Sequence, residues 1–476
     1  MIEPASRVSL PSLLTHGRML AAGLSLDHSP GCRRQRTQVI MSAPRLVESC
    51  ASSQPACARP LSPPPPHTSV RRSQGFPLLD LTQAALDCVF SCLDLGGRRN
   101  LRLAGRLSRA AVDCRVTKVD LDASHLTRIE VMRALDDLLI SPWRSIRAFE
   151  VGYWEAPEGD TDCGISAEGC CALAAAGYDL EDLSLGSCGL DDAAAAGLAR
   201  LWPRLETLVL CSNPRLGAEG VAALATASWP FLSKLDLGGT FQGVCPGLAD
   251  FSFARLRDLD VSRNTMDPVA AAALSNSSLP SLEVLHVGSA ALGNDGAAAL
   301  AKGRWPRLRL LGLTFSSVGD RGAAALATAS WAALQALYLT GNSIGDAGVE
   351  GLTTDWPQLT GMHLGRNLVG AAGAGAIARA PWPLLKDLSL DTNKLGNDGA
   401  AALGAAAVRF SKLTHVSLGD NNIGNDGAAA LARGAWPSLR SLRLARNAIQ
   451  GRGMAALARG QWPSLTELNV SNQSYP

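Results

Sequence analysis

The sequence has few aromatic residues and no long apolar run. Aromatic side chains make up 5% of the 476 residues although 47% are hydrophobic, so the apolar content is mostly leucine and alanine. A chain of this composition favours many thin, similar layers over one bulky core. No run of 18 or more apolar residues occurs, so we expect no membrane-spanning helix.

Cysteine is missing from the C-terminal part of the chain. All twelve cysteines lie at or before Cys245, although the pattern described below continues unchanged beyond that residue. Disulfides therefore cannot hold that pattern together, and we expect a reducing compartment. Residues 1–30 also lack the regions of a secretory signal. We expect a cytoplasmic or nuclear location, although an Arg- and Ser-rich start with few acids is also compatible with an organelle transit peptide.

Motifs for catalysis and for cofactor binding are also missing. Catalysis needs a nucleophile, a base and an orienting group, and no motif supplies them. The segment 370–375, Gly-Ala-Ala-Gly-Ala-Gly, lies inside a repeat and lacks the surrounding βαβ unit that a nucleotide-binding loop requires. The pairs Cys88/Cys92 and Cys170/Cys171 lack the further Cys or His of a four-ligand zinc site. We predict a protein that is not an enzyme and has no metal, cofactor or small-molecule substrate.

Positive charge is concentrated near the N-terminus. Residues 1–75 hold nine arginines and three acidic residues, a net charge of about +6, whereas the whole chain carries +2. The rest of the chain is therefore acidic overall, which argues against a nucleic-acid partner. Residues 1–75 also contain the proline run 63–66 and show no sustained period. They predict a disordered Pro-, Arg- and Ser-rich leader.

A unit of about 26 residues recurs from residue 116 to residue 476. Each unit starts at a leucine, called position 1 below, with apolar residues at positions 4 and 6 and often asparagine at position 9. Two weaker units start at Val116 and Ile146. The position-1 leucines of the others are Leu180, Leu205, Leu232, Leu256, Leu282, Leu308, Leu334, Leu359, Leu385, Leu413, Leu439 and Leu465. The pattern predicts a solenoid of about 13 units.

Each unit predicts a strand, a sharp turn and a helix. The alternating apolar residues give the strand one buried face, and asparagine at position 9 can bond backbone groups that the bend leaves unpaired. An Ala-rich helix follows, as in 293–300 and 396–403, and we expect the Asp or Asn just before it to cap it. Because helices need more room than strands spaced by about 4.8 Å, we expect a horseshoe with parallel strands on the concave face and helices on the convex face.

Tryptophan recurs three residues before position 1. It stands at Trp202, Trp229, Trp305, Trp331, Trp356, Trp382, Trp436 and Trp462, usually followed by proline. Tryptophans in series can also stack on bases or cations. The fixed register instead predicts a packing ladder between the helix and the strand.

The repeats resemble the ribonuclease-inhibitor-like leucine-rich repeats, and especially their GALA-type variant. The resemblance rests on Gly-rich turns followed by Gly-Ala-x-Ala-Leu-Ala, as in 296–301, and covers roughly three quarters of the chain. It implies an α/β leucine-rich-repeat solenoid that a small α-helical segment precedes. Many unrelated functions use this fold, so the resemblance alone implies none of them.

The segment 76–115 predicts two or three short helices, and it resembles an F-box. The resemblance rests on residues 81–95, Leu-Thr-Gln-Ala-Ala-Leu-Asp-Cys-Val-Phe-Ser-Cys-Leu-Asp-Leu, and on 100–107, Asn-Leu-Arg-Leu-Ala-Gly-Arg-Leu. It implies that the segment docks a Skp-family adaptor linked to a cullin scaffold, while the repeats select a target protein for ubiquitination. The residues expected at the adaptor are Leu81, Leu86, Val89, Phe90, Leu93, Leu95, Leu101 and Leu103.

The sequence is also compatible with two other functions. Solenoids require terminal caps, so the segment 76–115 could be a helical cap on a free-standing interaction scaffold or inhibitor. A GTPase activator with ribonuclease-inhibitor-like repeats is a third alternative, to which no motif points.

The outward strand positions are the predicted surface for the target protein. We expect an acidic patch on neighbouring strands, a basic patch near the C-terminus, and aromatic or histidine side chains between them. The candidate residues are Asp236, Asp258, Asp260, His286, Tyr338, His363, Arg440, Arg443 and Arg446. Arg and Tyr are common anchors in protein interfaces. The alternative is that these residues serve only solubility.

Overall fold

The computed structural model describes residues 118–121, 147–151, 179–288 and 291–473. The predicted leader, 1–75, and the F-box-like segment, 76–115, lie outside the described residues. The eight candidate adaptor-binding residues between Leu81 and Leu103 therefore lie outside them too.

The described strands form one parallel sheet of 14 strands, arranged in chain order. The strands are β1 Lys118–Leu121, β2 Ala148–Val151, β3 Asp182–Ser184, β4 Thr207–Val209, β5 Lys234–Asp236, β6 Asp258–Asp260, β7 Val284–His286, β8 Leu310–Gly312, β9 Ala336–Tyr338, β10 Gly361–His363, β11 Asp387–Ser389, β12 His415–Ser417, β13 Ser441–Arg443 and β14 Glu467–Asn469. Each of the twelve leucine-started units and each of the two weaker units supplies one strand. Residues at the same position of successive units pair in register, as Asp236 does with Asp260.

Helices connect most of the strands. They are α1 Asp192–Leu198, α2 Ala218–Ala225, α3 Pro268–Ser275, α4 Gly293–Leu300, α5 Asp320–Leu326, α6 Asp346–Leu352, α7 Ala371–Arg379, α8 Gly396–Ala406, α9 Asn425–Arg433 and α10 Gly451–Arg459. Successive helices pack against each other from α1 to α2 and from α3 to α10, and a 3₁₀ helix packs between α2 and α3. This arrangement confirms the predicted α/β solenoid. Among the described residues, no helix is long and apolar enough to cross a membrane.

One unit departs from the expected Ala-rich helix. Between β5 and β6 the chain forms a 3₁₀ helix, Pro246–Asp250. A Cβ atom at Gly247 would lie 2.6 Å from Cα of Ala222, so this short helix approaches α2 closely. A unit of only 24 residues, from Leu232 to Leu256, leaves less chain for a longer helix.

The apolar positions of the repeat form a continuous core. From Leu180 to Leu444, the side chains at positions 1, 4 and 6 are at most 1% exposed. Seven of the recurring tryptophans are at most 5% exposed, and the rings of Trp305 and Trp331 stack with centroids 6.3 Å apart. The indole Nε1 of Trp229 donates a hydrogen bond of 2.8 Å to the Leu201 carbonyl of the previous unit. The predicted packing ladder is confirmed.

Asparagine at position 9 joins neighbouring units. In one example, Nδ2 of Asn367 donates hydrogen bonds to the carbonyls of Leu339, 2.9 Å away, and Leu364, 3.0 Å away. Its Oδ1 accepts one of 3.0 Å from the Ile344 N–H. The equivalent residues Asn213, Asn264, Asn342, Asn367, Asn393, Asn421 and Asn447 are at most 9% exposed. We call them the asparagine ladder, and they confirm the predicted role of this position.

The expectation that Asp or Asn caps its own Ala-rich helix is wrong for most units. Oδ1 of Asn294, in α4, accepts hydrogen bonds from the Gly319 and Gly322 N–H groups of the next unit, at 2.8 and 2.9 Å. The physical reason is that the first N–H groups of a helix lack partners within it, and those of α5 lie beside Asn294. We call the residues that do this the capping ladder: Asp192, Asn294, Asp320, Asp346, Asn397 and Asn425.

The capping ladder also explains a recurring glycine. A Cβ atom on that glycine would lie 2.5–2.8 Å from the capping oxygen of the previous unit. The glycines concerned are Gly220, Gly322, Gly348, Gly373, Gly427 and Gly453. Real Cβ atoms do not approach so closely, so glycine at this place lets successive helices share one cap.

Candidate binding face on the sheet

The outward side of the sheet is the surface on which the strands present different residues. Side chains alternate between the two faces of a strand, so the residues at positions 3 and 5 flank the buried position 4. We call the residues at positions 3, 5 and 7 of strands β3–β14 the strand face. Because equivalent positions pair in register, each position forms a column that crosses the sheet.

Strands β5 and β6 bring the three predicted aspartates together. In register, Lys234 pairs with Asp258 and Asp236 pairs with Asp260. Nζ of Lys234 lies 3.5 Å from a carboxylate oxygen of Asp258, so that charge has a partner. Asp236 is only 7% exposed. Burial, followed by the neighbouring carboxylate of Asp260, raises the pKa of Asp236 to about 6, because both disfavour its charged form.

Tyr338 and His363 form a stacked pair in the middle of the strand face. They occupy position 5 of β9 and β10, and their rings are parallel to within 1° with centroids 4.2 Å apart. Burial, and then the carboxylate of Asp387, raise the pKa of Tyr338. Burial lowers the pKa of His363, against the opposing effect of Asp387 and Asp391. Burial therefore favours the uncharged form of both rings.

His286 lies over a strand that has no side chain at position 5. It pairs in register with Gly312 of β8, and a Cβ atom on Gly312 would lie 2.7 Å from Nδ1 of His286. Beside this column, position 3 carries Val284, Leu310 and Ala336. We call His286, Gly312, Tyr338 and His363, with the adjacent Leu310 and Ala336, the central strip. It contains no aspartate, glutamate, lysine or arginine and is partly aromatic.

Two further carboxylates, which sequence reasoning missed, follow the central strip. Asp387 lies at position 3 of β11, and Asp391 lies at position 7 of the same unit. Oδ1 of Asp391 accepts hydrogen bonds from Oγ of Ser417, at 2.6 Å, and from the N–H of Gly419, at 2.8 Å. Sorting the acidic residues by repeat position would have placed both on the strand face.

The three predicted arginines belong to one unit near the C-terminus. They lie at positions 2, 5 and 8 of a single unit, along one strand and its turn. Arg443 forms an ion pair of 3.4 Å with Glu467 of the next strand. A hydrogen bond from Ser441, and then one from Arg443, lower the pKa of Glu467. Arg440 and Arg446 are exposed, and Arg446 has a left-handed backbone, with φ of 56°.

The strand face from β3 to β12 is acidic. Its outward positions carry six aspartates, Asp182, Asp236, Asp258, Asp260, Asp387 and Asp391, and one lysine, Lys234. Within the described residues, no group of three or more His, Cys, Asp and Glu side chains is placed to hold a metal ion. The arrangement is suited to contact with another molecule over a wide, negatively charged surface.

Comparison with known proteins agrees with the repeat pattern. A family model described as Leucine Rich repeat matches residues 278–301, 333–352, 411–432 and 437–458. An internalin structure from Listeria monocytogenes is 15% identical, with 76% of this chain and 92% of that chain covered and a TM-score of 0.43. The structure of a TLR13–ssRNA13 complex is 15% identical, with 77% of this chain and 56% of that chain covered and a TM-score of 0.35. No curated protein matches the sequence.

Proposed function

We propose that the leucine-rich repeats of this chain bind a protein partner across the strand face, and that the chain recognises its partner without transforming it. The observation that carries the proposal is the contrast between buried and outward positions. Buried positions repeat the same residue types, whereas the strand face holds a stacked Tyr–His pair and a nearly buried aspartate with a raised pKa. A carboxylate that is kept nearly buried, as Asp236 is, destabilises the folded state, and groups of this kind are typical of functional sites.

We further propose that residues 76–115 dock a Skp-family adaptor, so that a target held on the strand face is presented to a cullin-type ubiquitin ligase. The F-box resemblance of residues 81–95 and their place before the repeats support this role. The segment departs from the family pattern in two places: Leu81-Thr82 replaces Leu-Pro, and Gly105–Ser108 replaces Cys-Arg-x-Trp. The recurring Gly-Ala-x-Ala-Leu-Ala supports the GALA-type class, and a cytoplasmic or nuclear location is part of the same proposal.

Co-purification of the full chain with a Skp-family adaptor tests the ligase role. We expect the wild-type chain to retain the adaptor and Phe90→Asp to lose it, because Phe90 is central to the proposed adaptor face. The matched control is Phe231→Asp. Phe231 is a phenylalanine of the repeats that is 42% exposed, under the guanidinium of Arg255. Circular dichroism of both variants checks that the repeats remain folded.

Each outcome distinguishes between the two classes of function. Retention by the control and loss by Phe90→Asp would support a substrate-recognition subunit. If the wild-type chain retains no adaptor, the ligase role is wrong, and a scaffold or inhibitor with a helical cap at 76–115 takes its place. Equal retention by both variants would remove Phe90 from the adaptor face.

A further inference from the structure

Two groups of carboxylates stand on either side of the central strip. The first is Asp236 with Asp260, on β5 and β6, and the second is Asp387 with Asp391, in the unit of β11. Five strand steps separate β6 from β11. At about 4.8 Å per step, the two groups lie about 24 Å apart.

The first carboxylate group lacks a basic neighbour of its own on the strand face. Lys234 is the one lysine of the strand face between β3 and β12, and its ammonium lies 3.5 Å from Asp258. Asp236 and Asp260 instead accept backbone hydrogen bonds, from Gly238 at 2.9 Å and from Ser262 at 2.8 Å. A cation brought by a ligand would offset their mutual repulsion, which the lysine only partly compensates.

The surface between the groups can lie flat against an extended chain. Gly312 gives β8 no side chain at position 5, so the Tyr338 ring, which stacks on His363, has no neighbouring side chain from β8 in that column. Gly361 likewise has no side chain at position 3 of β10, and the His363 ring lies against it, with Nε2 3.2 Å from where a Cβ atom would be. Small residues around a half-buried aromatic ring let a peptide backbone approach, and the ring can receive an apolar side chain or a guanidinium.

We propose that the strand face binds an extended basic segment of a partner protein, with two cationic side chains eight residues apart. One cation pairs with Asp236 and Asp260, the other with Asp387, and the residues between them lie on the central strip. The spacing follows because an extended chain advances about 3.3 Å per residue and needs at least seven residues to span about 24 Å, and because only an even separation lets both side chains face the sheet. We choose a basic partner because the outward positions from β3 to β12 hold six aspartates and one lysine, and a basic segment complements that negative charge. This inference rests on the proposed function and defines its partner.

Fluorescence anisotropy with labelled synthetic peptides tests the proposal. The probes are twelve-residue peptides of Ala, Ser and Leu in which the second arginine follows the first by four, six, eight or ten positions. We expect the eight-residue spacing to bind most tightly to the full chain. The variant Asp236→Asn/Asp387→Asn should weaken that binding at least tenfold, an effect on the order of two lost charge-assisted contacts. Binding should also weaken at high salt.

The matched control removes the same charge elsewhere in the repeats. Asp295→Asn/Asp420→Asn also takes away two aspartates, at an exposed position of α4 and an exposed turn position, both outside the strand face, and should change binding less than twofold. Equal loss in both double variants, or equal binding at all spacings, would reduce the interaction to general charge attraction and overturn the proposal. Absence of binding by every peptide would overturn it as well.

A displayed library of random twelve-residue peptides distinguishes this proposal from the broader proposal that the strand face binds a protein partner. Selection on the full chain, followed by counter-selection on Tyr338→Ala, should enrich peptides with two basic residues eight positions apart. Enriched peptides that depend on Tyr338 but lack this basic pattern would overturn the basic-segment proposal and leave a protein-binding strand face intact. If no peptide depends on Tyr338 and the labelled probes do not bind, protein binding through the central strip is contradicted as well.

Discussion

The helix side of the solenoid and its strand face are built from the same units but in different ways. On the helix side and in the core that it covers, the same contacts recur from unit to unit, as in the asparagine ladder and the capping ladder. On the strand face, successive units place Asp260, His286, Gly312, Tyr338 and His363 at the same position. A residue that its unit position fixes has a packing role. A residue that changes from strand to strand is available for recognition. Substitutions on the helix side should therefore mainly lower stability, whereas substitutions on the strand face should mainly weaken binding.

The largest loss of stability is expected on the asparagine ladder. Asn367→Ala removes three short buried hydrogen bonds, with Leu339, Leu364 and Ile344, and a longer one of 3.2 Å to the Gly365 carbonyl. At about 1 kcal/mol for each of the three short bonds, the free energy of unfolding should fall by about 3 kcal/mol. Urea denaturation followed by circular dichroism measures the change. The control Asn276→Ala, at an exposed helix end, should change it by less than about 0.5 kcal/mol. A similar loss in both variants would show that burial of Asn367 does not matter.

A somewhat smaller loss is expected where successive helices share a cap. A Cβ atom at Gly348 would lie 2.5 Å from Oδ1 of Asp320 and 2.8 Å from a methyl group of Ile344. Overpacking of this kind lowers the free energy of unfolding by about 2 kcal/mol, so Gly348→Ala should destabilise the chain. Gly451→Ala is the control in the same denaturation experiment, because a Cβ atom there would meet nothing within 4 Å. Because alanine has a higher helix propensity than glycine, the control should lose no stability. If it loses as much as Gly348→Ala, the close approach to Asp320 and Ile344 does not explain the glycine.

The helix side was largely predictable from the sequence because its contacts follow the repeat. The leucines at positions 1, 4 and 6, the asparagine at position 9 and the recurring tryptophan each indicated their packing role. The direction of the cap was not predictable in the same way. A capping residue is ordinarily assigned to its own helix, whereas Asn294 and Asp320 bond to backbone about 25 residues later in the chain.

A gain of stability is expected on the strand face. The pKa of Asp236 is raised to about 6 in the folded chain from 3.8, so between these pH values the folded state binds more protons than the unfolded state. The contribution of Asp236 to the free energy of unfolding therefore increases as the pH falls from 7 towards 4. Asp236→Asn keeps an oxygen that can accept the hydrogen bond from Gly238 and removes the charge. It should raise the free energy of unfolding at pH 7 by about 1 kcal/mol.

Denaturation at pH 7 and at pH 5 measures this effect in the wild-type chain and in Asp236→Asn. The difference between the two proteins should shrink at pH 5, where Asp236 is mostly protonated. Asp182→Asn, on an exposed strand position, is the control and should show no such trend. A destabilised Asp236→Asn at pH 7 would mean that the carboxylate has a structural role, and the contrast between the two sides would fail at this residue.

The strand face was less predictable because its contacts join residues whose pairing no motif indicates. The sequence placed Asp236, Asp258 and Asp260 together, since equivalent positions of neighbouring units form columns. It did not indicate that Lys234 would pair with Asp258 or that Glu467 would pair with Arg443. Ring orientation, as in the stacked pair of Tyr338 and His363, depends on side-chain packing that periodicity does not encode.

The smallest change of stability, together with the largest change of binding, is expected in the central strip. Tyr338→Leu keeps an apolar side chain at position 5 of β9 but removes the ring that stacks on His363. An aromatic pair contributes about 0.5–1.5 kcal/mol beyond burial, and since this pair is partly exposed the loss should lie at the lower end. Binding of the two-arginine peptide should fall at least tenfold, whereas Phe231→Leu, at an exposed phenylalanine elsewhere in the repeats, should leave it unchanged. If Tyr338→Leu instead lost as much stability as Asn367→Ala and still bound the peptide, Tyr338 would belong with the packing residues, and the division between the two sides would not hold at the centre of the sheet.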